Sequence, residues 1–257
     1  MLETKHHIRG NLCHDHGVFV ACNGTYRFNE AAHTVLESKG IRPHEFIKSI
    51  ISVDTTKPFD GEIELNADVR GNITVTGIDV IHEPTGAKIS EITRFIDFKN
   101  QTVEHVYLEL DSQYQNAGVV KSIFKEALPF YDKLGIQKIE LYANHDAGGY
   151  AWAKYGFKPT KSKEIDKILT HCQTKIESLM QDSPNPILQS VSKILSNKSL
   201  DVFTQIANLK THELDKVLFK DNPKMTLSKF LLLQSEWHGE MGLSGESRKY
   251  LEQYLKA

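Results

Sequence analysis

The feature that most constrains this chain is a change of hydrophobic period. Between residues 61 and 111 apolar residues recur every second position, as on the inner face of a half-buried sheet. Ile63, Leu65, Ala67 and Val69 alternate with polar residues, and Gly71-Asn72 breaks the run. A second run, Ile73 to Ile81, is rich in Val, Ile and Thr, which suit a pleated surface. Pro84-Thr85-Gly86 makes a turn, a third strand is predicted from Lys88 to Phe98, Lys99-Asn100-Gln101 turns back, and a fourth covers Val103 to Leu110. Closely spaced strands joined by such turns predict an antiparallel meander.

The period then becomes helical. Val119, Val120, Ile123, Phe124, Ala127 and Leu128 form one apolar stripe, closed by Leu134-Gly135. Ile139, Leu141 and Ala143 alternate again as a fifth strand, and Gly148 to Lys154 reads as a short helix before Tyr155-Gly156-Phe157. Upstream, Gly17 to Ala21 reads as a short strand, and Phe28–Lys39 and His44–Ile51 as helices, with Pro43 placed where a helix start tolerates it. From Thr160 onward only helical patterns are read: a long stripe from Ile165 to Leu179, the break Ser183-Pro184-Asn185-Pro186, then stretches around Ile187–Leu195, Leu200–Leu209, Leu214–Phe219, Met225–Gln234 and Glu246–Leu255. The expected organisation is α+β: residues 1–160 as one domain, with a core at about 61–160, and residues 161–257 as an all-helical extension.

Composition narrows the class of protein. With 40% hydrophobic and 25% charged residues the chain is expected to be globular, and no run approaches the ~18 apolar residues of a membrane span. Residues 1–7 lack the apolar centre of a secretory signal, so a cytoplasmic location is expected. The 31 basic and 33 acidic residues leave a net charge of −2, which argues against nucleic acid as partner. Three cysteines, Cys13, Cys22 and Cys172, make no disulfide framework. Cys13, His14, His16 and Cys22 cluster in sequence but lack the paired knuckle spacing of a zinc site, so no metal is expected. Trp237-His238-Gly239 reads as a packing anchor beside the apolar run Phe230–Leu233.

The segment from Glu104 to Val120 carries the chemistry. A strand ends, a polar loop follows, and a helix starts beside Gly118. A helix start offers unpaired N–H groups and the positive end of the helix dipole, which suit a diphosphate. Read as Q-x-x-G, Gln115 to Gly118 resembles the pyrophosphate loop (Q/R)-x-x-G-x-(G/A) of the GNAT superfamily of N-acetyltransferases. The order meander, loop, helix, strand, short helix, G-F is similar to that family's core. The run from Asn144 to Phe157 is similar to its last motif, and its G-x-Y-x-W-x-x-x-G-F wording resembles a divergent phage and bacterial branch. The resemblance covers about residues 60–160.

The resemblance implies a GNAT-like mixed, mainly antiparallel sheet and an acyl-CoA-dependent N-acyltransferase that uses acetyl-CoA or its product coenzyme A. It implies cofactor contacts at Leu108, Leu110, Gln115, Asn116, Ala117, Gly118, Val119, Val120 and Asn144, with Leu110 near the backbone donor to the thioester carbonyl. Glu104 is placed like the glutamate base of the histone-acetylating branch, and Tyr150 is the phenol offered as acid. Asn144 has a second use, as a cap for the following helix. Three residues depart from the family: Val120 replaces Gly or Ala, Asn116 stands where Gly is common, and Trp152 stands where many members carry the tyrosine that protonates the thiolate. The acceptor implied is an amine on a small molecule or protein, and the helical region is expected to serve a protein partner or a homodimer. Two other readings stay open: a catalytically degenerate GNAT-like binding protein, and a GNAT-type effector or toxin.

Overall fold

The computed structural model describes residues 18–21, 23–56, 59–115, 117–182, 185–197 and 201–256. It divides into two compact units, Met1–Ile139 and Glu140–Ala257.

In the first unit, β1 (Val18–Ala21), β2 (Asn23–Phe28), β3 (Asp60–Ala67), β4 (Ile73–His82), β5 (Ala87–Asp97) and β6 (Thr102–Leu110) lie side by side in chain order. Every neighbouring pair is antiparallel except β2 and β3. Those two run parallel because α1 (Glu30–Ser38) and α2 (Pro43–Ile51) carry the chain back between them. The alternating residues form the buried layer: Ile63 and Leu65 on β3, Ile73 and Val75 on β4, Ile89, Ile92 and Ile96 on β5, and Val103 on β6. Helix α2 adds Phe46, Ile47, Ile50 and Ile51, with Pro43 in its first turn. Helix α3 (Val119–Leu134) adds the expected stripe, apart from Val120, which is only half-buried, and, beyond it, Phe130 and Tyr131. It stops at Gly135, whose φ of 71° allows its N–H to turn back onto Asp132 and Tyr131.

The helix expected from Phe28 begins two residues later. Asn29 accepts a bond from the Ala32 N–H and also from the Ala67 N–H, so it caps α1 and ties that helix to the end of β3. Phe28 belongs to β2, a strand whose six residues, Asn-Gly-Thr-Tyr-Arg-Phe, carry too little apolar alternation to be read.

The second unit takes up the chain within β7 (Lys138–Ala143) and continues through α4 (His145–Tyr155), β8 (Lys158–Pro159), α5 (Ser162–Asp182), α6 (Pro186–Ser196), α7 (Val202–Ala207), α8 (His212–Leu218), α9 (Leu227–Leu232), β9 (Trp237–Gly242) and α10 (Gly245–Lys256). The division falls inside β7 rather than at 160, because α4 packs among the C-terminal helices. A Cβ on Gly149 would lie 2.6 Å from the Ser235 carbonyl oxygen, so only glycine fits at that crossing. The Tyr250 hydroxyl donates to the Lys154 carbonyl at 2.9 Å.

The C-terminal region is largely helical but not all-helical, which corrects the expectation. Trp237–Gly242 is a strand lying between β7 and β8, and it pairs antiparallel with β8 through Lys158–Glu240 and Pro159–Gly239. Its period is two, with Trp237, Gly239 and Met241 buried and His238 and Glu240 exposed. Two glycines and the absence of β-branched residues hid it. Among the described residues no helix is long and apolar enough to cross a membrane. The fold class is therefore α+β, a mixed sheet flanked by helices with a mainly helical C-terminal region.

Candidate functional site

Strand β6 delivers the chain to the site. Val103 and His105 face the core, while Glu104 and Val106 are exposed. The β5/β6 register then slips: Arg94 is opposite His105, but Thr93 is opposite Tyr107, so Val106 is an extra residue in a bulge. Beyond the bulge Leu108 and Leu110 are half-buried, and exposed Glu109 accepts the Tyr107 hydroxyl at 3.0 Å. At the strand exit the Asp111 carboxylate accepts from the Gln113 N–H and opens a single 3-10 turn, Ser112–Tyr114. The Ala117 N–H closes back onto Tyr114 at 3.2 Å.

Gly118 adopts φ 77°, a left-handed conformation that L side chains rarely take, and α3 starts at the next residue. No side chain caps this helix start, and the Gly118 carbonyl accepts the Ser122 N–H at 3.0 Å. The preceding amides of Val119 and Val120 have no place in the helical ladder. Among the described residues a Cβ on Gly118 would meet nothing within 4 Å, so the space beside it is open. Gln115, Ala117 and Gly118 are exposed, Val119 is buried, and Val120 is half-buried. Asn116 lies outside the described residues, as do Cys13, His14, His16 and Cys22. Among the described residues no group of three or more His, Cys, Asp or Glu is placed to hold a metal ion.

Leu108, Leu110, Gln115 and Ala117–Val120 thus share one strand–turn–helix joint in the first unit, with Glu104 upstream on the same strand. Asn144 and Tyr150 belong to the second unit. Asn144 occupies the N-cap position of α4 without a side-chain capping bond. Tyr150 is half-buried, with the Lys154 ammonium 5.5 Å from its ring centre. Tyr155 is a core residue, packed 4.9 Å from Tyr254 and 5.7 Å from Trp152, and burial pushes its phenol well up. Trp152 stands edge-on to Phe157. Trp237 is fully buried, and His238 is held by Glu164, which takes both its backbone N–H and its Nδ1 at 2.8 Å.

Sequence reading missed a polar cluster in the core of the first unit. Arg94 is 1% exposed and donates through Nη1 to the carbonyl oxygens of Thr93 at 2.9 Å and Tyr107 at 2.8 Å. The Tyr131 hydroxyl lies 3.0 Å from His105 Nε2. Burial lowers Arg94 to about 10 and pushes Tyr131 up to about 12, with Arg94 opposing the latter. Burial, and then the Arg94 charge, holds the His105 imidazole well below its usual range. A signal for this cluster existed: Arg94, His105 and Tyr131 all occupy core-facing positions of their elements.

A second buried histidine, His82, is lowered to about 4 by desolvation, its Nδ1 2.6 Å from the Thr85 hydroxyl. Both imidazoles bind protons more readily when unfolded. Their contribution is therefore complete above the ordinary imidazole value of about 6.5 and is lost as pH falls below it. The urea midpoint is expected to drop steadily from pH 6.5 to 4, and His82→Gln to flatten part of that slope. A midpoint independent of pH over this range would show that neither imidazole is held neutral.

No family model, no curated protein and no solved structure matches this chain.

Proposed function

We propose that the protein is an acyl-CoA-dependent N-acyltransferase, with acetyl-CoA as donor and an amine as acceptor. The observation that carries the reading is the joint at Gly118: a left-handed glycine in open space, directly before the uncapped start of a helix. The residue pattern around it, Gln115 to Val120, resembles the GNAT pyrophosphate loop. The amides of Val119 and Val120 would receive the diphosphate, helped by the helix dipole. Bound acetyl-CoA supplies the reactive thioester carbonyl. The β6 backbone near Leu110 would donate to its oxygen as negative charge develops.

The acceptor nitrogen forms the new C–N bond as the C–S bond breaks. Glu104 takes the amine proton, through water given its exposed position, and solvent returns a proton to the thiolate. Val120 is half-buried, and the binding measurement also tests whether its bulk leaves room for the diphosphate.

Millimolar acetyl-CoA is expected to stabilise the full chain by mass action on the native state, by about 2.7 kcal/mol at a hundredfold excess over Kd, and so to raise its Tm. The Glu104→Gln variant is expected to lose turnover on a panel of amines while keeping the shift. No shift with wild type would remove the cofactor from this reading, and a shift with no transfer to any amine would favour the degenerate binding protein.

A further inference from the structure

We infer that Arg94 and Tyr131 are positioning residues that set the aim of the β6 exit and the α3 start, the two elements that build the candidate cofactor site. The inference rests on the proposed function for what the site binds, and on hydrogen-bond geometry for what the pair does. The guanidinium bonds the carbonyl oxygens of Thr93 and Tyr107, which are directly opposite one another across the first rung beyond the bulge. It thus ties the two strands together where the extra residue Val106 interrupts the ladder. A second tie comes from α3: the Tyr131 hydroxyl lies 3.0 Å from Nε2 of His105, the residue on the near side of the same bulge. The guanidinium therefore holds the far side of the irregularity, and the helix holds its near side.

Tyr131 lies twelve residues after Val119, so a straight helix carries its position about 18 Å to the helix start. The strand beyond the bulge runs from Tyr107 to Leu110 and then into the turn before Gly118. Both arms of the joint leave from the same buried anchor.

The electrostatics mark the anchor as costly. Arg94 is fully buried, its Nε has no hydrogen-bond partner, and among the described residues no carboxylate pairs with it. A buried charge without a countercharge is a poor source of stability, and an apolar residue of similar length is often tolerated as well or better. What an apolar residue cannot do is bond the two carbonyl oxygens that set the strand direction. The pair therefore serves the geometry of the exit more than the stability of the core.

The test uses the full chain with Arg94→Met and Tyr131→Phe, singly and together, read by amide hydrogen exchange and by acetyl-CoA binding. Exchange is expected to rise at least tenfold over Tyr107–Gln115 and the first turn of α3, with β3 and β4 unchanged and the Tm within a few degrees of wild type. Acetyl-CoA affinity is expected to fall at least tenfold in the same variants. Unchanged exchange in this segment, or a rise spread evenly over the first unit, overturns the inference. Should Arg94→Met fail to fold, Tyr131→Phe, which removes one oxygen and keeps the ring, decides it by the same two readouts. If wild type itself shows no acetyl-CoA binding, the proposed cofactor fails, while the exchange measurement still decides the positioning role.

Discussion

Replacing Gly118 by valine is expected to abolish the thermal stabilisation by acetyl-CoA while lowering the Tm of the free protein by only a few degrees. The two effects separate because of where the residue sits. Among the described residues nothing lies within 4 Å of a Cβ placed there, so the Cβ itself meets no clash. The cost is backbone strain: φ is 77°, and a left-handed conformation costs an ordinary L residue roughly 1–2 kcal/mol, more if β-branched. The chain relieves that strain by rotating the peptide before Val119, which turns the first amides of α3 away from the open side. Gly118→Asn is the matched control, because asparagine enters the left-handed region several-fold more readily than other residues. It is expected to keep most of the acetyl-CoA shift. Differential scanning fluorimetry with and without ligand reads both variants, and a full shift in the valine variant would mean that these amides do not hold the diphosphate.

The largest effect on stability is expected from Trp237→Ala, a loss of about 3–5 kcal/mol. Trp237 is fully exposed to neither water nor a polar partner: its side chain has no solvent access and its Nε1 has no hydrogen-bond partner. The substitution therefore removes packing alone, including the contact with Phe203 at 6.3 Å between ring centres. Gly239 stands two residues on, on the same face of β9, where a Cβ would collide with the indole. Gly239→Ala is expected to destabilise by roughly 1–3 kcal/mol through overpacking. Urea unfolding followed by circular dichroism measures both. A loss below about 1 kcal/mol for Trp237→Ala would show that the strand forms without its anchor.

Much of the first unit was legible because its signals are local. Each strand from Asp60 to Leu110 has its own alternation and its own turn, so the meander follows without knowledge of partners. Helix α3 carries a seven-residue buried face and ends in glycine at the expected place. The Gln115–Gly118 spacing likewise marked the loop that precedes the helix, and the left-handed Gly118 gives that glycine a backbone reason. The roles assigned to side chains were less legible. Glu104 and Glu109 are both acidic residues on one strand, and only the register shows that each is exposed on its own side of a bulge. Tyr150 and Tyr155 look alike in sequence, yet Tyr155 is in the core and Tyr150 is half-buried.

By itself, the sequence determined the antiparallel run β3 to β6, the α3 stripe and the glycine before it, since period and turn chemistry act within a few residues. Only the tertiary structure decided that β2 runs parallel to β3, that β9 inserts between β7 and β8, and that the β6 bulge is held by Arg94 and Tyr131. Each of these joins residues far apart in the chain. Their energy comes from pairing, packing and desolvation that exist only after those segments meet, so no local period records them.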